Sequence, residues 1–156
     1  MTWPSLESLY KDTKQVIFRF PLQVAVTLTA LIVSFILIDY KGNYIGQAGV
    51  VKLMLICNMA LVLLIATDLY AERNSLPATK QWALRLLCLV ICTILYFTLQ
   101  PHLYYADRFR IGLFIVAFHL LVAFAPFIRK GNLFGFWEYN KVLFLRILTA
   151  GLYAAV

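Results

Sequence analysis

The sequence predicts an all-α, polytopic transmembrane helical bundle with four full spans and the start of a fifth, and three observations carry that reading. Charged residues are absent between Arg19 and Asp39, between Arg85 and Asp107, and between Arg110 and Arg129, with a shorter clean stretch from Lys52 to Asp68. A bilayer core about 30 Å thick needs roughly 20 apolar residues of helix. Lipid offers no hydrogen-bond partners, so each backbone amide must be paired within its own helix. The composition agrees: 63% of the 156 residues are apolar and 13% charged, against about 25% charged in soluble domains.

The first element is residues 1–21, an amphipathic interfacial segment. Leu6, Leu9, Tyr10, Val16, Ile17 and Phe18 alternate there with Glu7, Lys11, Asp12, Lys14 and Arg19, as in helices that lie in the membrane surface. Residues 22–156 form the transmembrane domain. Pro21 suits the first turn of a helix, so the first span runs about 22–38. Asp39-Tyr40-Lys41-Gly42-Asn43-Tyr44 then reads as a turn with interfacial tyrosines.

The second span, about 50–70, gains length if Lys52 snorkels outward. Asn74-Ser75 and Pro77 mark a polar connection. The third span, about 82–99, stops before Pro101, and HLYYADR makes an aromatic turn. The fourth, about 111–128, carries Pro126 near its end. After Arg129-Lys130-Gly131-Asn132, a fifth apolar helix begins near 136 and runs to 156. Its apolar ending suggests either the front part of a longer protein or a true end that leaves a short last helix. The first ten residues are not basic and no A-x-A-like site follows, so the first span is expected to be a retained helix rather than a signal peptide.

Net charge is +7, but the basic residues punctuate the spans instead of forming a stripe, which argues for topology signals and lipid anchors and against nucleic acid. Ten Lys and Arg fall on the side of the N-terminus and four (Lys41, Lys52, Arg108, Arg110) on the other. The positive-inside rule then places the N-terminus in the cytoplasm.

Cys57, Cys88 and Cys92 lie inside apolar spans without C-x-x-C spacing and read as small hydrophobes, although Cys88 and Cys92 share a helix face. No metal or cofactor is expected. No H-E-x-x-H, G-x-S-x-G or P-loop pattern occurs, and Asp39 and Asp68 lie at opposite ends of their spans, which argues against an aspartyl protease.

Polar residues in lipid are functional candidates or interhelical ties. Gln23, Thr27 and Ser34 share one side of the first helix. Asn58 and His119 sit near mid-span, where they could meet, and a histidine there could relay protons. Asp68, Glu72 and Arg73 close the second span, either reaching headgroups or pairing with arginines from the same side: Arg19, Arg85 and Arg146. The candidate intramembrane cluster is therefore Asp68, Glu72, Arg73, Arg146, Asn58 and His119. Depth along the fifth helix makes Asp68 or Glu72 the expected partner of Arg146. FGFWEYN reads as an interfacial hinge, with Trp137 and Tyr139 at headgroup level.

The segment PFIRKGNLFGFWEYNKVLFLRILTAGLY, with Phe136, Trp137, Asn140 and Arg146, resembles a pattern in bacterial membrane proteins of the domain-of-unknown-function 4153 family. FRFP (Phe20, Pro21) and DLYAER (Glu72, Arg73) are similar to that family as well. The resemblance implies a multi-pass protein of the bacterial cytoplasmic (inner) membrane and brings no established reaction, cofactor or substrate. The residues and the resemblance together point to a non-catalytic membrane scaffold or interaction domain. Its expected partners are membrane lipids and other transmembrane helices, from the same protein or an oligomer. The alternative is a transporter or permease half with a polar path through Gln23, Asn58 and His119.

Overall fold

The computed structural model describes residues 6–39, 44–100, 104–128 and 133–155. Six α-helices follow one another: α1 Leu6–Arg19, α2 Pro21–Asp39, α3 Tyr44–Arg73, α4 Ala78–Thr98, α5 Tyr105–Phe124 and α6 Leu133–Ala155, with a 3-10 turn at Ala125–Phe127. No strand occurs among the described residues. Among them, four helical stretches are long and apolar enough to cross a membrane: Pro21–Asp39, Gly46–Arg73, Ala78–Thr98 and Tyr105–Phe127. The chain is an all-α protein with the features of a multi-pass membrane bundle.

Local chemistry sets the breaks. Pro21 lacks an N–H and fixes φ, so α1 ends at Arg19 and α2 starts anew, with Val24 N donating to Phe20 O at 3.1 Å. Pro126 acts similarly at the end of α5, where the ladder tightens into the 3-10 turn. The turn segments around 40–43, 101–103 and 129–132, on which several sequence expectations fall, lie outside the described residues. FGFWEYN lies wholly within α6, so it is the first turns of a continuous helix rather than a hinge.

The bundle has a hub. α2, α4, α5 and the 3-10 turn all pack on α3, while α2, α4 and α5 make little contact with one another. Accordingly 44% of the apolar stretch of α3 is buried, against 11% for α2 and 17% for each of the other two. Met59 and Leu64 are the largest fully buried side chains, and Ala60, Ala66 and Ala71 are buried beside them. Alanines let neighbouring backbones come close, which is how helices gain contact where lipid is as apolar as the side chains. Cys88 and Cys92 of α4, Ile111 of α5, and Leu22 and Val26 of α2 complete the core. α6 joins through aromatic rings, Phe136 stacking on Phe124 at 5.3 Å and meeting Phe127 edge-on at 5.3 Å.

The hairpin joining α3 to α4 depends on one unusual residue. Ser75 has φ of 50°, Ser75 N donates to Glu72 O at 3.1 Å, and Leu76 N donates to Ala71 O at 3.0 Å. This is a Schellman closure with serine at the left-handed position that glycine usually fills. Side chains cost about 1–2 kcal/mol there, and glycine gives back about 0.5–1 kcal/mol in unfolded-chain entropy. Ser75→Gly should therefore raise stability by about 0.5–1 kcal/mol, read as an increased melting temperature in detergent. A lower melting temperature would show that the Ser75 side chain has a stabilising role outweighing its strain.

Candidate functional site

The charged residues gather at the two ends of the hub. At the end formed by the C-terminus of α3, Asp68 is the centre. Its side chain is 3% exposed and lies five residues from the end of α3, about 7.5 Å along the axis. Arg85 of α4 grips it in a fork, Nε donating to Oδ1 at 2.8 Å and Nη2 to Oδ2 at 3.1 Å. Gln23 of α2 donates through Nε2 to Oδ2 at 2.6 Å. One carboxylate thus ties three helices. Arg85 also rests on the Trp82 ring, 5.0 Å from its centroid.

One turn further toward the membrane surface, Arg19 of α1 repeats the fork on Glu72, with Nε and Nη2 donating at 2.9 and 2.8 Å. Here both side chains are exposed, 54% and 40%. The hydrogen bonds from Arg19 to Glu72, then the attraction of that carboxylate, push the Arg19 guanidinium pKa further up.

At the opposite end Lys52 of α3 is buried, its ammonium 4.7 Å from the centroid of the Tyr96 ring. This corrects the expectation that Lys52 snorkels outward. Asp107, buried in the first turn of α5, accepts from Gln100 N at 2.9 Å and from Arg110 Nη1 at 2.6 Å. An acid in the first turn also suits the helix dipole.

The sequence-derived cluster therefore separates. Asp68 and Glu72 each have an arginine, but these are Arg85 and Arg19. Arg146 is exposed on α6, and both carboxylates it was expected to meet are already forked by other guanidinia. The reason is packing: α6 attaches to α5 and not to the face of α3 that carries Asp68. Arg73 lies at the exposed end of α3 beside a groove.

The expected contact between Asn58 and His119 does not form. Both side chains are exposed, and His119 Nδ1 is 2.7 Å from the carbonyl of Ile115 in its own helix. Matched depth was not enough, because the two residues point off different faces of helices that meet through their apolar sides.

Gln23 is the site residue whose role sequence reasoning missed. It was grouped with Thr27 and Ser34 by helix face, yet Thr27 is exposed and bonds back to Gln23 O at 2.8 Å, and Ser34 bonds Ala30 O at 2.8 Å. The usable signal was depth, since Gln23 begins α2 at the end where α3 delivers Asp68. Gln23 Oε1 is buried without a partner.

Two grooves flank Leu69. One, of about 460 Å³ between α2 and α3, is lined by Gln23, Val24, Leu28 and Ile65 among others. The other, of about 440 Å³, lies between Glu72, Arg73, Phe127 and Tyr139. Neither includes Asn58 or His119. Among the described residues no group of three His, Cys, Asp or Glu is placed to hold a metal ion, and Cys57, Cys88 and Cys92 are buried free thiols. Comparison with known proteins finds no matching family model, no matching curated protein and no matching solved structure.

The two ion pairs should differ sharply in weight. Removing one member of a buried pair strands its partner and costs about 3–5 kcal/mol, whereas an exposed pair contributes about 0–1 kcal/mol. Asp68→Asn should lower detergent melting strongly and Glu72→Gln hardly at all. Equal losses would show that the Asp68 centre is better hydrated than its burial implies.

Proposed function

We propose that this chain is a non-catalytic membrane scaffold or interaction domain, held rigid at one interface by the Asp68 centre. The observation that carries the reading is the saturation of Asp68. Both carboxylate oxygens are taken by Arg85 and Gln23, so the buried charge is committed to joining helices. The polar residues that would mark a transport path do not converge: Gln23 is held at Asp68, while Asn58 and His119 are exposed on separate helices. The broad apolar faces of α2, α4 and α5 suit association with lipid and with further helices.

The ten-to-four distribution of basic residues supports a cytoplasmic N-terminus. The resemblance of FGFWEYN and its surroundings to the domain-of-unknown-function 4153 family supports a bacterial cytoplasmic membrane. In that orientation the Asp68 centre lies at the cytoplasmic interface. Single cysteines introduced as Asn43→Cys and Ala106→Cys should label from the periplasm, and Ser75→Cys from the cytoplasm. The reverse pattern would invert the assignment.

A scaffold needs the pairing and not the position of the acid. The exchange Asp68→Arg with Arg85→Asp should restore most of the melting temperature that either single change removes, since Gln23 can turn its free carbonyl oxygen toward the relocated guanidinium. Proteoliposomes of the parent chain and of the exchange variant, loaded with a pH-sensitive dye under an imposed potential, should leak protons equally. Flux present in the parent and lost in a folded exchange variant would replace the scaffold with a proton-coupled transporter.

A further inference from the structure

From Ile56 to Ala66 on the hub helix, every residue is buried except Asn58, Leu61 and Ile65. Their spacing is three and four. Extending the stripe backward by four and then three residues reaches Met54 and Val51, both half-buried. Val51, Met54, Asn58, Leu61 and Ile65 thus repeat at the four-three interval of a helix-pairing seam, over about 21 Å of axis, most of the hydrocarbon thickness.

At the centre of that stripe stands an amide. Asn58 falls midway along α3 and is exposed, and its side chain is bonded to none of the described residues. Hydrocarbon cannot satisfy it, and a polar group left unpaired in an apolar medium costs several kcal/mol. A side chain of this kind in a transmembrane helix belongs against protein.

We propose that the seam docks a second copy of this chain, α3 against α3, with Asn58 of each copy hydrogen-bonded to Asn58 of the other. Three features select this occupant. Copies inserted by the same topology signals share one orientation, so their hub helices run parallel about a twofold axis along the membrane normal, which sets each seam residue opposite itself. The asparagine amide carries both a donor and an acceptor, so it complements its own image. A single asparagine among apolar residues at such a position is also the device by which parallel helix pairs fix their register. α2 borders one edge of the stripe, where Ser34 donates to Met54 Sδ at 3.5 Å, and α2 and α5 make little contact with each other.

The inference deepens the scaffold reading and rests on it, since it names the face through which the scaffold associates. Its test uses the full chain in phospholipid vesicles under copper-phenanthroline oxidation. The three native cysteines are buried, so the parent sets the background. Val51→Cys, Met54→Cys, Asn58→Cys, Leu61→Cys and Ile65→Cys should give disulfide-linked dimers, while Val90→Cys on α4 and Leu113→Cys on α5, both well exposed, should not.

Subunit counting at increasing lipid dilution should show that Asn58→Leu weakens dimerisation roughly tenfold, the equivalent of about 1.4 kcal/mol, while Asn58→Gln keeps most of it. Asn58 bonds none of the described residues, so Asn58→Leu should leave monomer melting in detergent unchanged, and a drop there would overturn the proposal. Equal cross-linking from Val90→Cys and the seam positions would also overturn it, as would a monomer at every dilution. A monomer whose Asp68/Arg85 exchange still folds and leaks no more than the parent would remove the seam and keep the scaffold. A seam-linked dimer with Asp68-dependent proton flux would remove the scaffold and keep the seam.

Discussion

A carboxylate carried into hydrocarbon must meet a cation and fill its remaining lone pairs, or it must give up its charge. Asp68 meets that demand by drawing one side chain from each of two helices, Arg85 from α4 and Gln23 from α2. The rest of the arrangement depends on this. The three helices must start or end at one depth, the hairpin between α3 and α4 must be short, and Pro21 must start α2 where Gln23 can reach inward. The tight Ser75 closure and the α1–α2 break are the backbone consequences of placing three polar side chains around one point.

The opposite end solves a related problem with different chemistry. Lys52 also lies on the hub helix, but it rests on the Tyr96 ring rather than in a carboxylate fork, while Asp107 takes a backbone amide and Arg110. Between these two ends the hub is mainly apolar, and close packing holds the middle together with the weak sulfur contacts of Ser34 with Met54 and Thr67 with Cys88. The polar centres set register and the apolar middle sets closeness. This division explains why α2, α4 and α5 can each hold to α3 while touching one another so little.

Much of the fold was legible because lipid enforces simple rules. The charge-free stretches pointed to four apolar helices, although α3 and α5 begin six residues before the expected 50 and 111, and Pro21 and Pro126 marked the breaks that their missing N–H groups cause. The site was legible in part. Arg19 and Arg85 could be selected as partners because both enter from the side where Glu72 and Asp68 close α3. Arg146 shared that side and was expected to join them, but side alone does not say which helices touch, and the aromatic stack of Phe124, Phe127 and Phe136 carries α6 to α5 instead. The Asn58–His119 expectation failed for the same reason: depth follows from sequence, whereas facing follows from which apolar stripes pack. Gln23 was hidden because an amide near a span's end looks like an interfacial residue until its depth is matched to an acid on another helix.

The polar residues of α3 therefore fall into two kinds with opposite meanings. Asp68 and Lys52 are buried, and each has its counterpart within the chain, so their free energy is already spent on joining this bundle to itself. Asn58 lies between them at mid-depth, exposed and bonded to none of the described residues, on a stripe whose other members are half-buried. The exposed polar residues of α2, α4 and α5 differ, since Thr27, Thr29, Thr93 and His119 each meet a carbonyl of their own helix. The place of Asn58 on the hub matters, because the hub is the helix on which α2, α4 and α5 all pack. A helix already packed on three sides gains most from a fourth contact when that contact also removes an unsatisfied amide from lipid. The physical argument that explains why Asp68 is closed thus also explains why Asn58, left open, points outward to another protein surface.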